Sequence, residues 1–222
     1  MPASAVDGLV EPPRERRRAG VRIRRVQASD AALLDEFVRG LSAASRQRRF
    51  HTGVREMPPQ WLQRMTHPDP GRELALVALA VQDGRETCIA EARYVLSDDI
   101  AEGREFALAV ADSWQGRGIG KTLLLRLGCH AARHAVPRLV GDVLHDNLPM
   151  IELARGLGYA VRRHPADARL VRVEQCFGGS LGILRAAHSG IGLGSGPAPL
   201  GGPGASLVLA GQASFETQGR PA

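Results

Sequence analysis

The sequence predicts an α/β (α+β) fold in which a mixed, largely antiparallel sheet is flanked by helices. Three observations carry that prediction. Leu74 to Val81 is a continuous apolar run, and Thr87 to Leu96 returns after the turn Gln82-Asp83-Gly84-Arg85, so the pair reads as a β-hairpin. Phe106 to Val110 is an apolar strand that stops at Ala111 to Gln115 and passes through alternate glycines into a helix. Strands and helices then alternate to the end of the patterned region, which requires crossovers as well as hairpins.

The elements follow in order. Val21 to Val26 alternates apolar residues with arginine and reads as a first strand. Ser29 is placed to cap a helix whose apolar face uses Leu33, Leu34, Phe37, Val38 and Leu41. Leu41 to Phe50 continues or follows that helix, and a short helix starts at Pro58-Pro59 carrying Trp61, Leu62 and Met65. The hairpin comes next, and Ser97 to Gly103 is an acidic connection to the central strand. After the glycine turn, Leu123, Leu127, Ala131 and Ala135 recur every fourth residue. Arg138 to Leu144 is a strand, and Asn147, Pro149 and Met150 open a helix closed by Gly158. Tyr159 to Val161 and Leu170 to Phe177 form a closing antiparallel pair. The expected order is β-α-α-β-β-β-α-β-α-β-β.

Outside this region the texture changes. Residues 1–19 hold Pro2, Pro12, Pro13 and mixed charge without periodicity, so an Arg/Pro-rich disordered tail is expected. Gly178 to Ala222 holds twelve of the 26 glycines and only three full charges, and reads as a Gly/Ala/Pro-rich flexible tail. The domain expected to fold spans 20–177, a length that buries a sizeable core. The net charge is +6 and the pI about 10.2, but the surplus clusters between Arg14 and Arg25 with only 4% aromatics in the chain. That is a solvated tail, not a nucleic-acid-recognition element. Cys88, Cys129 and Cys176 lie far apart without metal spacing, which points to free thiols in a reducing, cytoplasmic compartment and to no metal site. No run reaches the ~18 apolar residues of a membrane span.

The glycine turn carries the chemistry. Glycines at 116, 118 and 120 let the backbone bend tightly, and the first N–H groups of the following helix lack internal partners. Such a helix start binds a phosphate. Gly120, Lys121 and Thr122 fit the end of a P-loop, but Gln115 stands where its first glycine belongs, and the dinucleotide fingerprint fails because the third glycine comes one residue early. A P-loop-like nucleotide-binding protein is thus the less favoured alternative. The pattern that does fit is Q-x-x-G-x-G, over Gln115, Gly116, Arg117, Gly118, Ile119 and Gly120.

That stretch resembles the acyl-CoA pyrophosphate loop of the GNAT N-acetyltransferases, and the element order from Val21 to Phe177 is that of the GNAT fold. Ser42-x-x-Ser45-Arg46-x-x-Arg49-Phe50 is similar to the L-S-x-x-S-x-x-x-R-F stretch of Pat-type protein lysine acetyltransferases, and Glu105-Phe106-Ala107 is similar to their A-E-F-A stretch. The resemblance implies acetyl-CoA as the acyl donor and an amine, possibly a protein lysine, as acceptor. Residues 116–121 then hold the pyrophosphate, with Arg117 and Lys121 adding positive charge. The backbone at Leu108 and Val110 pairs with the pantetheine arm, and the Val110 N–H polarises the thioester carbonyl. Asn147 has two readings: the N-cap of its helix, or, by resemblance, a hydrogen bond to the pantetheine.

Glu105 is the candidate general base, since a positioned carboxylate accepts the proton of a cationic amine. Its bland reading is a salt bridge to an arginine, and Glu91 is the second choice. The chain departs from many members of the family in one place: Ala154 stands where they carry the tyrosine that protonates the leaving thiolate. A non-catalytic acyl-CoA-binding sensor is the alternative within the same fold.

Overall fold

A computed structural model describes residues 20–51, 56–97, 100 and 103–177. The two expected tails lie outside the described residues, as does part of the acidic connection.

Seven strands form one sheet in the order β1-β2-β3-β4-β5-β7-β6. They are β1 (Val21–Arg25), β2 (Leu74–Gln82), β3 (Arg85–Val95), β4 (Arg104–Val110), β5 (Arg138–Leu144), β6 (Ala160–Arg163) and β7 (Leu170–Cys176). Only β4 and β5 pair in parallel; every other neighbouring pair is antiparallel. The helices are α1 (Ala31–Gly40), α2 (Ala43–Phe50), α3 (Pro59–Thr66), α4 (Ile119–Arg133) and α5 (Leu148–Gly156). The mixed, largely antiparallel sheet is as the sequence predicts. The β2–β3 hairpin closes through Asp83 and Gly84, both at positive φ (48° and 77°), the conformation that matches the twist of a two-residue turn.

Three local expectations are corrected. Among the described residues three α-helices, not two, precede β2, because Leu41 turns extended (ψ 145°) and Ser42 caps a new helix by accepting the Ser45 N–H at 3.1 Å. Ser29 caps nothing: it lies in a 3₁₀ turn, Ala28–Asp30, and the buried Asp30 carboxylate takes the Gln27 N–H at 2.8 Å and the Arg24 guanidinium at 2.6 and 2.7 Å. Ala135 lies past the end of α4 with φ 53°, so the apolar repeat outruns the helix.

Strand alternation divides the core into two layers. On one face Leu34, Phe37, Val38 and Leu41, with Phe50 of α2 and Met65 of α3, pack on Ala75, Val77, Leu79 and Ala109. On the other, Leu123, Leu124, Leu127 and Ala131 of α4 and Ile151 and Ala154 of α5 cover Leu76, Ala78, Ala92, Tyr94, Phe106, Leu139 and Val143. The same alternation puts Glu91, Arg93 and Glu105 on the α1–α3 face, and Phe106, Leu108 and Val110 on the α4–α5 face.

Gly141 of β5 shows how tightly the second layer closes. A Cβ built there would meet the Phe106 ring at 2.7 Å, and that ring is held edge-on against Tyr159 at a centroid distance of 5.5 Å. Gly141→Ala is therefore expected to cost about 1–3 kcal/mol, the usual penalty of overpacking. Urea denaturation of the two proteins measures it, and an unchanged midpoint would show that the ring yields freely.

Candidate active site

The site is a break in the sheet. β4 and β5 are paired only at Arg104↔Leu139 and Glu105↔Val140; beyond Glu105 the two strands separate. Ala111 N–H donates to Ile89 O at 2.9 Å, and the β3–β4 register runs without a shift. With a period of two, Glu105, Ala107 and Ala109 therefore bond toward β3, while the backbone groups of Leu108 and Val110 face the side that β5 has left. A cavity of about 920 Å³ fills this wedge, lined by Phe106 to Val110 on one side and Gly141, Asp142 and Val143 on the other.

The glycine turn closes one end. Gly116 and Gly118 have φ of 71° and 75°, the left-handed region in which side chains are strained. A Cβ at Gly120 would already touch Leu108 and Leu153 at 3.4 Å, so the loop lies directly on the strand. Helix α4 starts with no side-chain cap and no acid in its first turn, which leaves its leading N–H groups open to an anion. Gly116, Gly118, Ile119, Gly120 and Lys121 all line the cavity. The Arg117 guanidinium stacks over the Trp114 ring at 4.7 Å, and Arg117 is not among the lining residues.

Gln115 braces this loop from within. Its side-chain amide donates to Val110 O at 3.0 Å and to Ser45 Oγ at 3.2 Å. The Ser45 and Ser42 hydroxyls in turn donate to Asp112 Oδ1, both at 2.8 Å, and the Ser42 N–H donates to Asp112 Oδ2 at 2.9 Å. The two serines of the Leu41–Phe50 stretch thus fasten α2 to the segment between β4 and the glycine turn. Asn147 Oδ1 accepts the Met150 N–H at 3.4 Å, the capping reading, and Asn147 also lines the cavity, so its two readings are compatible.

Glu105 stands where the strands part. It is 5% exposed and lines the cavity, Oε2 has no hydrogen-bond partner, and no arginine pairs with it among the described residues. Burial, then the neighbouring Asp142 carboxylate, push its pKa up to about 8 against the opposing Ser97 hydrogen bond and the Arg49 and Arg172 charges. A buried carboxyl with a raised pKa and a bare oxygen in a cleft is poised to exchange a proton.

The other carboxyls here are engaged. Glu91, fully buried, takes Arg93 Nε at 2.5 Å and Arg49 at 3.1 Å. Burial alone would raise its pKa, but Arg93 and Arg49 outweigh that and hold it below the ordinary range. Asp142 receives Arg172 at 2.9 and 3.0 Å and His164 Nε2 at 3.2 Å. Its place beside Glu105 depends on the parallel pairing of β4 and β5, which no local motif announces.

His51, too, escapes a reading of the sequence. It ends α2 in the left-handed conformation (φ 53°) and lines the cavity, with Nδ1 buried and unpartnered; burial lowers its pKa. The signal available was its place directly after the Arg49-Phe50 pair. Neither tyrosine of the chain lines the cavity: Tyr159 is buried in the core, and Tyr94 Oη meets His130 Nδ1 at 2.6 Å on the α4 face. Ala154 is fully buried, so no phenol stands at that point of α5.

Comparisons with known proteins bear on the family and the fold. The family model described as the acetyltransferase (GNAT) family matches residues 41–159. Acetyltransferase PA5475 of Pseudomonas aeruginosa is 30% identical over 152 residues, covering 68% of this chain and 81% of that protein. The GNAT domain of S. lividans PAT superposes with a TM-score of 0.63 at 28% identity, over 70% of this chain and 90% of that one. The putative acetyltransferase yncA of Salmonella typhimurium, solved with its cofactor acetyl-CoA, gives 0.58 at 18% identity, over 74% and 98%, a likeness of fold.

Proposed function

The chain belongs to the GNAT acetyltransferase family, and from that membership we propose that it transfers an acetyl group from acetyl-CoA to an amine, a lysine of a protein, by direct attack within a ternary complex. One observation carries the mechanism: Glu105, buried and bare at Oε2, lies at the point where β4 and β5 separate. There it accepts the proton of the incoming amine.

The cavity fits the donor. The open N–H groups of α4 and the Lys121 ammonium suit a pyrophosphate. The unpaired backbone of Leu108 and Val110 suits the amides of a pantetheine arm, with the qualification that Val110 O is already taken by Gln115. The Val110 N–H is left to polarise the thioester carbonyl. When bound, acetyl-CoA supplies the activated acyl group. No tyrosine lines the cavity to protonate the leaving sulfur, which therefore departs as a thiolate. Lysine as acceptor is supported by the Ser42-to-Phe50 stretch, whose serines here fix α2 to the loop, and by the likeness to the S. lividans PAT domain.

A thermal-shift comparison tests the donor. Acetyl-CoA at a hundred times its dissociation constant is expected to add ~2.7 kcal/mol, whereas ATP with magnesium adds nothing, because Gln115 replaces the P-loop glycine. Stabilisation by ATP–magnesium alone would end the acetyltransferase reading for this site.

A further inference from the structure

Two arginines on the acceptor side of the cavity are left without partners among the described residues. Glu105 points to the α1–α3 face, so an amine reaches it past α2 and α3, and these helices contribute Arg48, Trp61, Gln63 and Arg64 to the cavity lining. Arg48 and Arg64 are both exposed, and neither makes an ion pair or hydrogen bond with a described residue. Arg64 stands apart from the phosphate end, and Arg48 lies three residues further along α2 than Ser45, the residue that meets Gln115. Helix α3 is anchored through Met65, whose carbonyl takes Arg93 Nη2 at 3.1 Å, and Arg93 is the register partner of Ala107. That is the Glu105 end of β4, whereas the glycine turn follows Val110, roughly 16 Å along the strand at its usual rise.

The deeper charges do not cancel this one. Arg49 and Arg93 share the single carboxylate of Glu91, and Asp142 is engaged by Arg172. Glu73, the remaining acid on this side among the described residues, accepts the neutral Asp69 N–H at 3.2 Å, keeps its charge, and so offsets one of the two exposed guanidinium groups but not both. Glu105 itself is held toward its neutral form. The wall that a cationic amine must pass is therefore net positive, and such a wall repels a bare amine.

We infer that the acceptor is a lysine flanked by acidic residues, whose carboxylates are received by Arg48 and Arg64 while its stem crosses Trp61. The inference rests on the lysine acetyltransferase reading above and names the substrate class within it. Arg64 and Trp61 are three apart on α3, so they share one helix face. The half-buried indole gives the aliphatic stem an apolar surface, as long basic side chains require. Guanidinium groups suit carboxylates because their donors match both oxygens at once.

The test uses the full chain, acetyl-CoA and three lysine peptides of equal length, flanked by Glu and Asp, by Gln and Ser, or by Arg. At low salt kcat/KM is expected to fall in that order, with about tenfold between the acidic and the neutral peptide from two exposed pairs. The gap narrows as salt is raised, since exposed charges are screened. Arg48→Glu with Arg64→Glu is expected to reverse the order while leaving the acetyl-CoA affinity, measured by calorimetry, unchanged. Equal kcat/KM for the three peptides would overturn the inference, as would an acidic preference that survives the double substitution. Acetylation of no peptide by a protein that binds acetyl-CoA would instead overturn the lysine reading beneath it.

Discussion

Glu105→Gln is expected to lower turnover by roughly 10²–10⁴-fold at neutral pH, the usual span for losing a general base, in a protein that is at least as stable as the parent. The two halves of that result have one cause. Burial and Asp142 raise the Glu105 pKa to about 8 from its ordinary value of 4.5. The folded protein therefore holds this proton more tightly than the unfolded chain does. The stability this confers is complete below pH 4.5 and is lost as pH rises toward 8, so the ionised carboxylate strains the fold where it is catalytically useful. Glutamine fills the same space without charge at any pH. The melting temperature of Glu105→Gln should match the parent near pH 4.5 and exceed it increasingly up to about pH 8. Parent kcat/KM should climb over the same range as Glu105 ionises, and the variant should recover activity only as the amine itself becomes neutral. Acetyl-CoA affinity should hold, because the groups suited to the donor belong to Leu108, Val110 and the 116–121 turn. A stable Glu105→Gln protein with full activity at neutral pH would remove Glu105 from the mechanism.

Much of this arrangement can be read from local pattern, and the part that cannot has a physical reason. Alternation and apolar runs mark each strand, because side chains on a strand have a fixed period of two. Strand, glycine turn and helix start are contiguous, so 106–121 is legible as one unit. The break between β4 and β5 is not: it depends on where a parallel pairing stops, thirty-odd residues apart in sequence. Asp142 reaches Glu105 through that pairing, and His51 reaches the cavity only because α2 folds back against β4. Gln115 shows the converse. It belongs to the loop pattern, yet its side chain is turned inward to Val110 O and Ser45, a bracing role that depends on the tertiary placement of α2. The swap of Ser29 for Asp30 at the start of α1 is of the same kind, since Arg24 on β1 recruits the carboxylate across six residues.

Glu91 supplies the opposite case to Glu105, and the pair of variants separates the two carboxylates on the α1–α3 face. Glu91 is enclosed with Arg49 and Arg93, which are themselves only 6% and 9% exposed at the side chain. Removing its charge leaves two guanidinium groups buried beside each other with no anion to offset them. Breaking a buried ion pair from one side costs about 3–5 kcal/mol, and Glu91→Gln is expected to fall in that range. For a folded region of this length that is a drop of roughly 10 °C or more in melting temperature. The pH dependence also has the opposite sign. With its pKa held below the ordinary 4.5, Glu91 adds stability above that value and loses it as pH falls further, so acid weakens the parent and spares the variant. Loss of the triad also frees α2, which carries Ser45, Arg48 and His51 into the cavity. Turnover should accordingly drop along with stability, and KM for the acceptor should rise. A Glu91→Gln protein that melts like the parent yet has lost turnover, beside a fully active Glu105→Gln, would exchange the roles: Glu91 would be the base and Glu105 a bystander.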